Sequence, residues 1–381
     1  MLNTGGIMIY LDNAATSRFK PKTVIKAVTK ELSASANPGR SGHSDAVNAL
    51  QRVYKTREKV AAFVGCNDGE VIFTASCTEA LNLAIFGTAR HGHIVTTALE
   101  HNSALRPLYK LEHEKLIKLT VIEPDKSGKI NPKDIEKAIG LDTYLVCINN
   151  ISNVTGLETD IAEIGKVTAR KGALMLVDAS QSLGHKPVNM DQMGIDMLAA
   201  PGHKGIHGMQ GSGFLVYSGR LRLNPIKYGG TGTNSESVYQ PLTPPEAFES
   251  GTLNTPGIAS IYEGVEWTSR HLAEIEQKYN HLTDIMLNGL KNISGIRLYS
   301  NELNAIAAFG IDGFDSSEVC DIMNEKFNIA LRSGLHCAPL MHNYLGTLEK
   351  GLVRASLGWI NTENDVLKLL TAVEKIVKMK K

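Results

Sequence analysis

Strand-like and helix-like segments alternate along most of this sequence. That alternation predicts an α/β fold: a large domain with a mostly parallel central sheet covered by helices, followed by a smaller α+β domain. Three observations carry the prediction. Short runs rich in β-branched residues recur at 71–74, 93–98, 118–122, 144–149 and 173–177, with helical patterns between them. The run Ala173-Leu174-Met175-Leu176-Val177 does not alternate apolar with polar residues, as expected of a strand covered on both faces. And 381 residues are too many for one typical core, so two domains are expected.

The other elements follow in order. Residues 46–64 carry Val47, Leu50, Tyr54, Ala61 and Val64 at helical spacing, with Gly65 as a stop. Helical patterns cover 78–88 and 103–115, and 196–199 and 214–217 read as strands. After Pro256 a long amphipathic run to about 293 leads out of the large domain. The large domain is therefore expected over 18–255 and the small one over 256–381, joined by the N-terminal segment 1–17. The small domain reads as strands near 296–300, 305–311 and 329–332, a helix near 316–326 and a closing helix from Asn364. The basic tail, which includes Lys375, Lys378, Lys380 and Lys381, suits a helix ending in cations that offset its dipole.

Charge and composition narrow the function classes. Forty basic residues against 39 acidic ones give a net charge of +1, which offers no electrostatic reason for nucleic acid or an anionic membrane as partner. The five cysteines, Cys66, Cys77, Cys147, Cys320 and Cys337, are odd in number and lack metal-ligand spacing. They predict neither a disulfide framework nor a metal site, and a reducing cytoplasm as the location. The opening stretch has no charged n-region and no long apolar run, so no secretory signal is expected.

Four clusters carry chemistry. Asp178, in Val177-Asp178-Ala179-Ser180-Gln181, ends a buried strand, where a charge needs a partner. A cationic heterocycle would serve, and so would the simpler role of capping the next helix. Lys204, in Gly202-His203-Lys204-Gly205, could form a Schiff base if its surroundings lower its pKa, or be a solvated loop lysine. Its distance of 26 residues from Asp178, each at the end of its own predicted strand, would aim both into one cleft. Thr74-Ala75-Ser76-Cys77-Thr78-Glu79 is a strand-to-helix turn with free N–H groups suited to a phosphate, or with plain N-caps. The glycine-rich 208–213 precedes a strand rather than a helix and is not a dinucleotide loop. Finally, Arg332-Ser333-Gly334-Leu335-His336-Cys337-Ala338-Pro339 sets a cysteine beside a His and near Arg332, where a thiolate is favoured, although a buried structural cysteine fits the segment too. Arg354 offers a planar fork for a carboxylate, or a surface ion pair.

Together these segments resemble the cysteine desulfurase and selenocysteine lyase family of class V aminotransferase-like, fold-type I pyridoxal phosphate (PLP) enzymes. The resemblance rests on Y-L-D-N-A-A-T from Tyr10, T-E-A-L-N from Thr78, E-H-N-S from Glu100, S-N-V-T-G from Ser152, V-D-A-S-Q-S from Val177, G-H-K-G from Gly202 and R-S-G-x-H-C-A from Arg332. It implies that Lys204 carries PLP, that Asp178 and Gln181 hold the pyridine nitrogen and phenolic oxygen, and that His101 stacks on the ring and moves protons. Asn153 would contact the cofactor or the substrate carboxylate, and Cys77, Thr78 and His203 would hold the phosphate. Thr252 would reach the phosphate of a second subunit in a homodimer. Arg354, Asn153 and Asn13 would bind substrate, and Cys337 would take its sulfur as a persulfide for an acceptor protein, in a route such as iron–sulfur cluster assembly. The substrate implied is L-cysteine, with selenocysteine lyase, class V amino transfer, another C–S lyase or a non-catalytic sulfur carrier as alternatives. Pro201 and Cys77 stand where many relatives have Ser and Thr, and 228–233 departs from the commoner form, which marks a side branch. The 17 positions between Cys337 and Arg354 resemble the group with a short, ordered cysteine loop, for which slow turnover without an acceptor is expected.

Overall fold

The computed structural model describes residues 8–379. Residues 1–7 and the final Lys380 and Lys381, where parts of the N-terminal segment and the basic tail fall, lie outside the described residues. In chain order the strands are β1 (Ile9–Tyr10), β2 (Gly69–Thr74), β3 (Gly92–Thr97), β4 (Ile117–Ile122), β5 (Thr143–Asn149), β6 (Leu174–Asp178), β7 (Met197–Pro201), β8 (Gly213–Ser218), β9 (Ile296–Leu298), β10 (Ile306–Ile311), β11 (Ile329–Ala330) and β12 (Val353–Ser356).

Seven strands form one sheet in the order β2-β8-β7-β6-β5-β3-β4. Only β8 runs against its neighbours; β7, β6, β5, β3 and β4 pair in parallel. The unbroken apolar run of β6 has its explanation here. Met175 and Val177 belong to one buried cluster and Leu176 to another, on the opposite face of the sheet. Each alternate side chain meets a different layer of helices, so neither face tolerates polar residues.

A second sheet of three antiparallel strands, β12-β10-β9, packs its own core with helices Ser316–Phe327 and Glu363–Lys378. The 37-residue helix Thr255–Lys291 spans both bodies. Ile258, Ile261 and Val265 join the large-sheet core, and Ile275, Leu282 and Met286 join the small one. Glu363–Lys378 does end in cations, with Lys375 and Lys378 in its last turn.

Three expectations need correction. The helix at 46–64 exists, as Ser44–Phe63, but it buries Ala46, Ala49, Val53, Thr56 and Val60. Val47 and Tyr54 are 42% and 49% exposed. The buried stripe is built of smaller residues, because the helix packs closely against Thr255–Lys291, and the larger side chains were a misleading guide to its face. The strand expected near 329–332 is divided: Ile329–Ala330, as β11, pairs in parallel with β1, while Arg332 bridges Arg354 of β12. And β12, which carries Arg354, has no counterpart in the sequence reading.

Candidate active site

The parallel register places Asn149 beside Asp178, and Asp178 beside Ala199 of β7. Lys204 follows three residues after β7 ends. The carboxyl ends of these strands therefore open into one cavity of about 220 Å³. Asp178, Gln181, Lys204, His203, His101, Asn153, Cys77, Thr78 and Arg354 all line it. The loop-lysine alternative thus falls: burial lowers the Lys204 pKa, with Asp178 and Cys77 opposing and Arg354 and Arg332 adding to the effect.

Asp178 is held by one oxygen. Its Oδ1 accepts from the Ser180 N–H at 2.9 Å and from the Cys77 thiol at 3.7 Å. Gln181 spends one amide hydrogen on the Ala14 carbonyl, 3.0 Å away. His101 caps helix Asn102–His113, and its Nδ1 accepts from the Ser103 N–H at 3.0 Å. A backbone N–H can only donate, so the proton of the neutral ring sits on Nε2. Burial pushes the His101 pKa down to about 4, which keeps the ring neutral at pH 7. Glu100, just before it, is fully buried. Its Oε1 accepts from Thr97 Oγ1 at 2.7 Å and from the Asn149 N–H at 3.0 Å. Burial pushes it up to about 8.

Ser76 caps helix Cys77–Gly87, its Oγ accepting from the Glu79 N–H at 3.2 Å. The backbone N–H groups of Cys77 and Thr78 have no hydrogen-bond partner among the described residues and lie at the cavity wall. Gly213 makes room for this turn: a Cβ there would stand 2.7 Å from the Ser76 carbonyl carbon. The Cys77 side chain is not part of that anion cradle. Its sulfur accepts from Ser180 Oγ at 3.1 Å and faces Asp178, and burial holds the thiol protonated. Cys77 can serve an anion only through its backbone.

Arg354 is 1% exposed, which rules out a surface ion pair. It donates to Asp12 Oδ1 at 3.0 Å and to the Asn153 carbonyl at 2.8 Å. Burial lowers it to about 10, against the pull of Asp12, so it stays charged. Among the described residues its Nε has no partner, and neither do the buried Asn153 Oδ1, Asn149 Oδ1 and His203 Nδ1. Four orphaned polar atoms on residues that line one cavity mark a place built for a polar ligand.

Cys337 itself does not line the cavity, although the preceding His336 does. It is exposed, with a left-handed φ of +57°, after His336 at +49°. Its carbonyl accepts from the Asn102 N–H at 2.7 Å, beside His101, and its thiol is close enough to Arg354 to raise the latter's pKa. The Asn153 amide holds the His336 carbonyl at 2.7 Å, so the loop is short and tied down. The expected help from the adjacent His is absent. His336 is buried, which pushes its pKa down to about 2, and its ring nitrogens face His342 Nε2 at 3.4 Å and the Arg332 carbonyl at 3.5 Å instead of the Cys337 sulfur. The cations near this loop are Arg332 and Arg354, both on the cavity wall.

Two expected residues lie elsewhere. Asn13 Nδ2 donates to the Ser356 carbonyl at 3.1 Å and its Oδ1 accepts from the Arg18 N–H at 3.2 Å, so it ties the N-terminal segment to β12 instead of lining the cavity. Thr252 lines a separate cavity with Thr74, Glu79 and Lys227, away from its own chain's Lys204. Conversely, Arg332, Ser103, Ser180 and Asn149 line the cavity without having been singled out as ligands. Arg332 opens the Cys337 motif and could have been found there.

The fold and this cavity define a two-body α/β enzyme with its site at the carboxyl ends of parallel strands. The aminotransferase class-V family model matches residues 9–369. A probable cysteine desulfurase of Methanothermobacter thermautotrophicus is 35% identical, over 97% of this chain and 95% of that protein. The apo structure of cysteine desulfurase from Thermococcus onnurineus superposes with a TM-score of 0.91 at 34% identity, covering 98% of this chain and 95% of the other. The Escherichia coli cysteine desulfurase CsdA does so with a TM-score of 0.87 at 26% identity, with the same coverage. The chain belongs to the cysteine desulfurases of the aminotransferase class-V family.

Proposed function

We infer that this chain is a PLP-dependent cysteine desulfurase that converts L-cysteine to L-alanine and keeps the sulfur on Cys337. The observation that carries this reading is the meeting of Lys204, Asp178, His101 and Arg354 along one cavity, with the exposed Cys337 next in the chain to His336, which lines it.

The residues present fit PLP. Asp178 would take the ring nitrogen with the oxygen that Ser180 and Cys77 leave free, and Gln181 and Asn153 would take the phenolic oxygen. His101 would cover the ring. The Cys77 and Thr78 N–H groups and His203 Nδ1 would hold the phosphate, with Thr252 contributed by a second copy. When bound, PLP supplies an electron sink for the carbanion at the substrate Cα.

The chain's residues do the rest. Arg354, braced by Asp12, binds the substrate carboxylate through its free Nε face. The Lys204 amine, whose hold on a proton burial weakens, takes the Cα proton at Nζ. The neutral His101 has its proton on Nε2 and Ser103 Oγ 2.7 Å behind Nδ1, so a proton leaving one nitrogen can be replaced at the other. The Cys337 thiolate attacks the substrate sulfur; an S–S bond forms and the Cβ–S bond breaks. The balance is L-cysteine plus the Cys337 thiol giving L-alanine plus the Cys337 persulfide.

The further readings are a homodimer, which suits the displaced Thr252 and the exposed Tyr228, Val238, Tyr239 and Leu242 in the segment before it; domains at 18–255 and 256–381; a cytoplasmic location; and a sulfur-acceptor protein, with iron–sulfur cluster assembly as the destination. Among the described residues no helix is long and apolar enough to cross a membrane.

The test is direct. Purified protein should show the visible band of lysine-bound PLP and release sulfide and alanine from cysteine with a reductant. Cys337→Ala should keep the band and lose sulfide release. Full activity in Cys337→Ala, or faster turnover of selenocysteine with cysteine inert, would overturn the reading.

A further inference from the structure

The peptide before Lys204 is gripped from far away in the sequence. The His203 carbonyl accepts from the Ser17 N–H at 3.0 Å, Ser17 Oγ at 2.9 Å, Lys20 Nζ at 3.2 Å and Thr16 Oγ1 at 3.4 Å. Lys20 Nζ also donates to Ser17 Oγ at 2.8 Å, which locks the two side chains together. Two other carbonyls of the turn are satisfied close by, each by a single donor: the Gly202 carbonyl by the Gly208 N–H at 2.7 Å, and the Lys204 carbonyl by the His207 N–H at 2.9 Å. Nothing in a typical surface loop calls for four donors on one oxygen, one of them a half-buried ammonium.

The gripping segment has other holds. Its Asp12 pairs with Arg354, its Ala14 carbonyl receives Gln181, and its Ala14 N–H donates to Ser356 Oγ at 2.9 Å. One strap thus touches the lysine turn, the strand of the carboxylate-binding arginine and the Gln181 amide. We propose that Ser17 and Lys20 are positioning residues for Lys204: by clamping the His203 carbonyl they fix the direction from which the Lys204 amine enters the cavity, in register with Arg354. This rests on Lys204 being the PLP-bearing, proton-moving amine. Lys20 is lowered to about 8 by burial, so it is still charged and a full donor at neutral pH.

A clamp that aims the amine acts on chemistry, whereas the groups that hold the substrate carboxylate are untouched. In Lys20→Met the rate at which added PLP forms the lysine-bound visible band in apo-protein, and kcat for cysteine, should each fall about tenfold with KM within about twofold. Lys20→Arg should restore both to within about twofold, and Ser17→Ala, a milder change, should shift the same two rates the same way. Unchanged rates in Lys20→Met and in the Ser17→Ala, Lys20→Met double variant would overturn the proposal. So would a loss confined to the thermal midpoint, or a loss that Lys20→Arg does not recover. The Lys204→Ala control separates the two readings: if that variant still forms the band, the assignment of Lys204 fails whatever Lys20 does.

Discussion

The large-sheet wall of the cavity holds its groups buried or half-buried, whereas the opposite wall keeps one group buried and one exposed. Asp178, Lys204 and His101 stand at or just beyond strand ends, and the pKa values of Lys204 and His101 are displaced mainly by burial. Across from them Arg354 is just as buried, on a strand of the small sheet, but Cys337 faces solvent on a loop with two successive left-handed residues. The difference suits two tasks. Charge has to be controlled where a carbanion forms, and that needs low dielectric and fixed dipoles. On the proposed function, the Cys337 thiol would meet both a bound substrate and an outside acceptor, and that needs access.

Substitutions on the two walls should therefore separate. The largest effect is expected for Lys204→Ala, which removes the visible band and brings kcat down by about a thousandfold or more, measured by absorbance and alanine release. Next, Asp178→Asn keeps the shape of the strand end but not its charge, and kcat should fall about a hundredfold with the protein still folded. On the facing wall, Arg354→Lys should raise KM about tenfold or more with the band intact, because a point charge cannot replace the braced fork. If KM is unchanged and the band is lost, the two walls do not divide the work in this way.

A smaller effect tests the burial itself. Glu100 rises from the ordinary carboxyl value of 4.5 to about 8 in the folded protein, so the native state holds a proton that the unfolded chain gives up. Its contribution to stability is fully present below pH 4.5 and is lost as pH rises to about 8, at a slope of at most about 1.4 kcal/mol per pH unit. Glu100→Gln should remove that slope. The difference in unfolding free energy between variant and wild type, followed from pH 5 to pH 9, should grow in favour of the variant and then level off. A flat difference would mean that water reaches this wall.

How far the sequence revealed this arrangement depended on which kind of signal each part carries. The strands of the large sheet are apolar runs because both faces are covered, and such runs are legible without a fold in hand. β12 is four residues long and carries a buried arginine, so neither length nor hydrophobicity announces it. Asn13 lies in a motif that pointed to substrate, yet its amide is consumed by Ser356 and Arg18. Cys77 read as a phosphate ligand by position, and only the packing of Ser180 and Asp178 against its sulfur shows that its backbone N–H, not its side chain, is free for that role. Lys20 carried no signal at all, because its partner carbonyl is 183 residues away.

The contrast among the cysteines has a practical consequence. Cys66, Cys77 and Cys147 are buried and Cys320 is partly covered, which leaves Cys337 as the exposed sulfur of the five. To a mild alkylating reagent the native chain is close to a one-thiol molecule. If Cys337 holds sulfur as proposed, quantitative mass spectrometry after brief labelling can then count, in the unmutated protein, what fraction of molecules is empty and what fraction is carrying cargo.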